Sequence, residues 1–349
     1  DVTGPIDVGA LAGLAGGNFA QRRVIANGML IAVPGPEWDV AVATRSGTYN
    51  HAQPTTISGL SNVAGIAVGS LVTGPGVGRE IYVRARDIAA GTVELNLPLG
   101  ALSGTRSFTF TRFRYMLDFG SFGRLDKFEL KDLELQGNGV ASIVMLPPTG
   151  ITTRIAGCVL NRPKDRAITS VGTGCQGMMI DECQFLSNEQ DLQSQDRNSI
   201  CLNVNANDVK IRDNRMVRFA HSAVMHGSGH MFIGNHLFQG DGETAAVRRA
   251  GVVLTGINVK TLMNGNYIDN CFIELTNERE TNPAWNNQFS FGGLSVTGNV
   301  FHVSSVVPAF AFLVLTPHGP GHYIQGLSLT GNSFRTISGN IDRIEKVDT

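Results

Sequence analysis

An eight-residue pattern returns along most of this chain, and it limits the possible folds more than any other feature. Its plan is apolar, x, apolar, x, Gly or Asp, Asn, x, apolar. Centred on Asn332 it carries Leu327, Leu329 and Phe334, and centred on Asn299 it carries Leu294, Val296 and Phe301. Upstream it returns at Asn266 (Met263, Ile268), Asn235 (Phe232, Leu237) and Asn214 (Val209, Ile211, Met216). Cys183 and Cys158 take the Asn place in two more copies, and LELQGNGV returns to Asn138. The residue before each centre is Gly, Asp or Glu. The outermost apolar place is the weak one, filled by Thr153, His230 and Thr261 in three copies.

The centres lie 20, 25, 31, 21, 31, 33 and 33 residues apart, and self-similarity at this period marks stacked repeats. Apolar residues two apart define a short strand with one face inward. Gly-Asn supplies a tight turn, because both residues tolerate the left-handed conformation. Helical repeats are disfavoured, since Gly-Asn interrupts every unit and β-branched or aromatic residues fill the apolar places. The sequence therefore predicts an all-β chain: a right-handed parallel β-helix from about residue 120 to 340, its coils ~4.8 Å apart. The asparagines should stack as an internal ladder.

Asn27, in RRVIANGML, reads as an earlier rung, which leaves 111 residues before Asn138, too many for one plain coil. Within that gap, residues 58–100 alternate short strand patterns with Gly-rich turns and predict a small antiparallel β module. The expected organisation is first coil(s) in 1–43, an inserted module in 44–115, and the main β-helix in 116–349.

Lys plus Arg (28) balances Asp plus Glu (29), so no global charge drives the chain onto nucleic acid or anionic lipid. No apolar run reaches the roughly 18 residues of a membrane span, so no membrane insertion is expected. The five cysteines show no CxxC spacing and read as core fillers rather than disulfides or zinc ligands. Neither a metal nor another cofactor is expected. VTGPGVG lacks the Lys-Ser/Thr of a phosphate loop. The chain opens on Asp1 rather than Met, which reads as part of a longer or processed polypeptide.

VGSLVTGPGVGREIYV resembles a module that recurs in phage tail fibres and tailspikes. The segments RFRYMLDF (112–119), NRPKDRAITSVGTGCQGMMID (161–181), NANDVKIRDNR (205–215) and GPGHYIQGLS (319–328) resemble a wider family. It comprises glycoside-hydrolase-28-related, pectate-lyase-like β-helix proteins of prophages and gene transfer agents, and the head-spike proteins of the latter are the most similar. The resemblance implies a spike on the surface of a virion or phage-like particle, extracellular after release. It also implies contact with host cell-surface or capsular polysaccharide. β-helical spikes often form trimers, so self-association as a homo-oligomer, together with contacts to other spike or capsid proteins, is expected.

Chemistry has one candidate row. Six to eight residues after each centre come Asp165, Glu189 and Asp191, His221, Asp241 and Glu243, and Glu274. Carboxyls on neighbouring coils would stand ~5 Å apart, a retaining-glycosidase separation, which opens the alternative of a polysaccharide depolymerase. Polar residues also belong in such turns without any function. The Asn-Thr-Asp, Asp-Asp and Arg-Ile-Lys segments of polygalacturonases are absent, and HGSGH (226–230) only echoes their Gly-His-Gly. His230 and His236 read as core or turn histidines, and Asp196 with Arg197 as a local ion pair. The arginines of the module, Arg84 and Arg112 among them, suit an anionic saccharide or a solvated strand face. Trp38 and Trp285 fall in loops, where each would either stack on a sugar or pack as a lid over the solenoid edge.

Overall fold

The computed structural model describes residues 1–7, 20–100, 103–122, 124–172, 176–187, 199–239, 250–276, 289–303, 311–316, 323–336 and 342–346. Two bodies carry these residues: a parallel β-helix and a six-stranded antiparallel module set into its first coil.

Each coil of the β-helix contributes three short strands to three parallel ladders. The first ladder stacks Arg154–Ala156, Met179–Asp181, Lys210–Arg212, Met231–Ile233, Leu262–Asn264, Ser295–Thr297 and Ser328–Thr330. The second stacks Val159–Asn161, Gln184–Leu186, Arg215–Val217, His236–Phe238, Tyr267–Asp269, Val300–Val303 and Ser333–Thr336. At the head of both lies one long strand, Asp126–Gln136, whose halves pair with Arg154–Ala156 and Val159–Asn161. The third ladder runs from Ile6–Asp7 and Tyr115–Asp118 through His221–Ser228 to Asp342–Lys346. Among the described residues no helix is long and apolar enough to cross a membrane.

The octet maps onto the first corner. Its inner apolar residues Ile180, Ile211, Phe232, Met263 and Val296 are 0–1% exposed, and so are Phe185, Met216, Leu237 and Ile268. The residue before each centre is left-handed in eight successive coils, at Asp132, Gly157, Glu182, Asp213, Gly234, Gly265, Gly298 and Gly331. A second left-handed position, five residues earlier, recurs at Lys127, Thr152, Gly177, Asp208, Gly229, Lys260, Gly293 and Gly326. Each reverses the strand's course within one residue, and glycine adopts that conformation without a Cβ penalty.

The asparagine ladder is continuous from Asn214 to Asn332. Each side-chain amide donates to the Oδ1 of the next rung, at 3.0 Å (Asn214 to Asn235), 3.1 Å (Asn235 to Asn266), 2.8 Å (Asn266 to Asn299) and 3.0 Å (Asn299 to Asn332). The same amides also donate to main-chain carbonyls of the preceding coil, as Asn266 does to Phe232 at 2.8 Å. Each Oδ1 accepts in addition the backbone N–H of the preceding rung, Cys183 included. Both donors and the acceptor of each inner amide are thereby satisfied in an otherwise apolar interior.

Two expected rungs move. The register sets Leu130 beside Ile155 and Leu135 beside Leu160, so Leu133 rather than Asn138 stands level with Cys158. Asn138 lies beyond the strand in a left-handed turn and donates to the Ala32 carbonyl at 3.2 Å. One coil earlier a bulge brings Gly28, not Asn27, opposite Leu133. Gly137-Asn138 and Asn27-Gly28 misled because such pairs also serve ordinary turns.

The module runs from Ala41–Tyr49 to Gly104–Arg112, beginning three residues before the expected 44 and ending three before 115. Its strand order brings Leu71–Thr73 and Val83–Asp87 to the two ends of the sheet. A bridge from Leu71 to Tyr82, with Val72 donating to the Ile81 carbonyl, closes those ends into a barrel. Tyr49, Ile57, Val72, Val93, Phe108 and Phe110 form a separate core within it. Tyr115–Asp118 already belongs to the third ladder.

Candidate functional site at the junction of module and solenoid

The module docks on the outer face of the third ladder through an apolar patch and a set of charged groups. Tyr82 of the module packs with Phe113, Tyr115, Met145 and Val171. The backbone of Glu80 is left-handed, with φ of 53°, and it turns the carboxylate into the junction. There it meets Arg166 of the solenoid at 2.9 Å, with side chains 7% and 4% exposed. The Tyr82 hydroxyl donates to the other Glu80 oxygen, and the Arg166 guanidinium lies 4.5 Å from the Phe113 ring centroid. Burial and the Glu80 carboxylate push the Tyr82 phenol well up, so it stays a proton donor. Tyr115, raised chiefly by burial, donates to Thr169 Oγ1 at 2.9 Å.

Outside this dry network stands a looser one. The Arg79 guanidinium faces the Glu274 carboxylate with both N–O distances at 3.5 Å, and the side chains are 39% and 13% exposed. His221 lies within the electrostatic reach of Arg79, Glu274 and Glu80. Its Nδ1–H donates to the Ala250 carbonyl at 2.8 Å. Burial lowers its pKa, opposed by the carbonyl bond, so the ring is neutral at neutral pH and Nε2 keeps its lone pair. Arg84 is paired with Glu94 at 3.5 Å and lies close against Gly172 of the solenoid.

The fold thus brings His221 and Glu274 to one place, but not as a single row, and sets Arg84 apart from them beside Gly172. The register puts Arg166, Ile200 and His221 in one column, and Val224, Val253 and Glu274 in another. Glu189, Asp191, Asp196, Arg197, Asp241, Glu243 and Trp285 lie outside the described residues. Arg112 is a correction: it is 9% exposed, bonded to Asp118 and to the Phe113 carbonyl, and offers no cation to a ligand. Trp38 is another. It is 2% exposed within the solenoid core, its indole N–H donating to the Val33 carbonyl at 2.9 Å, and so forms a lid rather than a platform. His230 is fully buried just before the strand Met231–Ile233, and His236 is half-buried against Tyr267, with ring centroids 4.9 Å apart. Among the described residues no cluster of His, Cys, Asp and Glu could hold a metal ion, and four of the cysteines are buried free thiols.

Arg79 is among the module arginines that suit an anionic saccharide, but its pairing with Glu274 across the junction, and that of Glu80 with Arg166, escaped the sequence. The signal was present in GVGREIYV, where adjacent opposite charges interrupt an apolar strand.

No family model matches the chain, and no curated protein matches it. Solved structures do resemble it. A glycoside hydrolase aligns over 80% of this chain and 44% of its own, with a TM-score of 0.43 at 10% identity. A mutant tailspike protein of the E. coli bacteriophage HK620, in complex with a pentasaccharide, aligns over 65% and 45%, with a TM-score of 0.40 at 12% identity. The Streptococcus pneumoniae surface protein and adhesin PfbA aligns over 67% and 69%, with a TM-score of 0.35 at 10% identity. The chain spans less than half the length of the first two. The β-helical reading rests on this chain's own ladders and register.

Proposed function

We propose that this protein binds an acidic cell-surface or capsular polysaccharide without cleaving it, and does so at the junction of module and solenoid. The observation that carries this reading is the pairing of carboxylates there. Glu80 is occupied by Arg166 and Tyr82, and Glu274 faces Arg79. Glycosidic cleavage needs one carboxyl to deliver a proton and another to act opposite it. A carboxylate bonded to guanidinium is held ionised and so cannot deliver that proton, whereas the half-exposed Arg79 fork matches the carboxylate of an acidic sugar. The Arg79–Glu274 pair is long enough for a ligand carboxylate to exchange for Glu274.

A spike on a virion or phage-like particle, assembled as a homotrimer, is the setting in which such a binder belongs. That setting is supported by the sequence resemblance of residues 112–119, 161–181 and 205–215 to head-spike proteins. A second reading, a hydrolase or lyase, is favoured by one feature: the neutral His221 beside Glu274 is a competent proton acceptor.

Retention on immobilised acidic capsule tests the binding reading. Native protein is expected to be retained, with Arg79→Ala weakened about tenfold and His221→Gln little changed. No retention of the native protein on any capsule, or full retention of Arg79→Ala, contradicts it.

A further inference from the structure

A second feature of the solenoid lies on another face. The second ladder turns two columns of side chains outward: Gln184, Arg215 and His236 in one, and Asn161, Leu186, Val217 and Phe238 in the other. Between them lies a shallow groove of about 380 Å³. That size lies within the range of small-ligand sites.

The groove is cationic, and among the described residues no carboxylate pairs with its arginines. Arg215 is exposed, and neither it nor Arg218 is ion-paired with a described carboxylate. Arg218 is held in a left-handed conformation, with φ of 64°, at the corner that closes the groove. Its Nε is buried and has no hydrogen-bond partner. A buried guanidinium donor left unbonded is costly, and such groups mark sites completed by something else. The amides of Asn161 and Gln184 both donate and accept, as sugar hydroxyls do. Leu186, Val217 and Phe238 supply an apolar wall for the C–H face of a ring.

We propose that this groove is a subsite for an acidic sugar residue, its carboxylate held by Arg215 and Arg218 and its ring laid against Phe238. The inference rests on the reading of the chain as a glycan binder, and adds a position away from the junction. The guanidinium pair selects an anion, and the amides with the apolar wall select a hydroxylated ring rather than a bare ion.

The test is calorimetric titration with a defined uronate tetrasaccharide, its carboxyl-reduced neutral counterpart and sodium sulfate. Native protein is expected to bind the uronate at least about tenfold tighter than the other two. Arg215→Gln should lose about tenfold and Arg215→Glu more, while Arg215→Lys recovers part of the loss. Arg215 is exposed, so these variants leave the core intact. If both Arg215→Gln and Arg215→Glu bind the uronate like native protein while Arg79→Ala does not, the groove is no subsite and the junction reading stands. If native protein binds neither oligosaccharide, both readings fall. Sulfate binding as tightly as the uronate overturns the sugar assignment.

Discussion

Asn266 shows at the scale of one residue why the repeat keeps its amide. Its Nδ2 donates to Phe232 and Asn299, and its Oδ1 accepts from the backbone and side chain of Asn235. Asn266→Ala therefore strands groups on both neighbouring coils and is expected to cost about 2–4 kcal/mol in denaturant unfolding. Asn332→Ala, on a half-exposed rung, should cost about 1 kcal/mol. Cys183, Cys158 and Leu133 fill the same place without an amide, which shows that the position demands a buried group first and a hydrogen-bonding one second.

His230 supplies a residue-scale prediction of the opposite kind. It fills an apolar place in the repeat, and burial lowers its pKa to about 4, below the ordinary value of 6.5. Above pH 6.5 the ring is neutral in folded and unfolded chains alike, and its stability contribution is complete. As pH falls from 6.5 towards 4 the unfolded chain binds a proton that the folded one does not. Stability should therefore drop by about 3 kcal/mol across that window. His221 is lowered too and adds in the same direction. Urea midpoints between pH 7 and 4 should fall less steeply for His230→Leu than for native protein. Identical slopes contradict the assignment.

At the scale of the corner and strand, the left-handed positions explain a feature of the sequence that periodicity alone left open. Gly, Asp and Glu alternate before the centres because stacked coils share space: a Cβ on Gly234 would stand 2.5 Å from Asp213 Oδ1, whereas Gly265 has open surroundings. Gly234→Ala is expected to destabilise by about 1–2 kcal/mol, and Gly265→Asn by much less, in chemical unfolding. The strands and the first corner were legible from Asn214 onward, because each unit repeats the same apolar spacing. The second left-handed corner was not, since Lys260, Thr152 and Asp208 share no side-chain property with glycine and are united only by backbone conformation. The first rung was misplaced at Asn138 because Leu133, although Asp132 precedes it, puts neither Asn nor Cys in the central place.

At the scale of the whole molecule, the candidate site was half legible. His221 and Glu274 were visible as titratable groups at similar offsets. Their true neighbours, Arg79 and Glu80, lie 195 residues from Glu274 and 86 from Arg166, and meet them only through docking of the module. No local pattern records such a contact. The buried Glu80–Arg166 pair makes that docking sensitive to charge. Glu80→Gln leaves a buried guanidinium uncompensated and is expected to cost about 3–5 kcal/mol of docking stability. Adding Arg166→Met should restore much of it, read as resistance of the module to limited proteolysis. Trp38 and Arg112 illustrate the limit of composition: residue types that suit sugar binding were used here to close a core and to anchor a junction.

The central claim is that the chain holds an acidic polysaccharide and leaves it whole. Size-exclusion chromatography with light scattering, run on capsule before and after prolonged incubation with protein, measures this directly. Binding without cleavage predicts co-elution of protein with polysaccharide whose chain length is unchanged. Shortened polysaccharide, with new reducing or unsaturated ends, contradicts it.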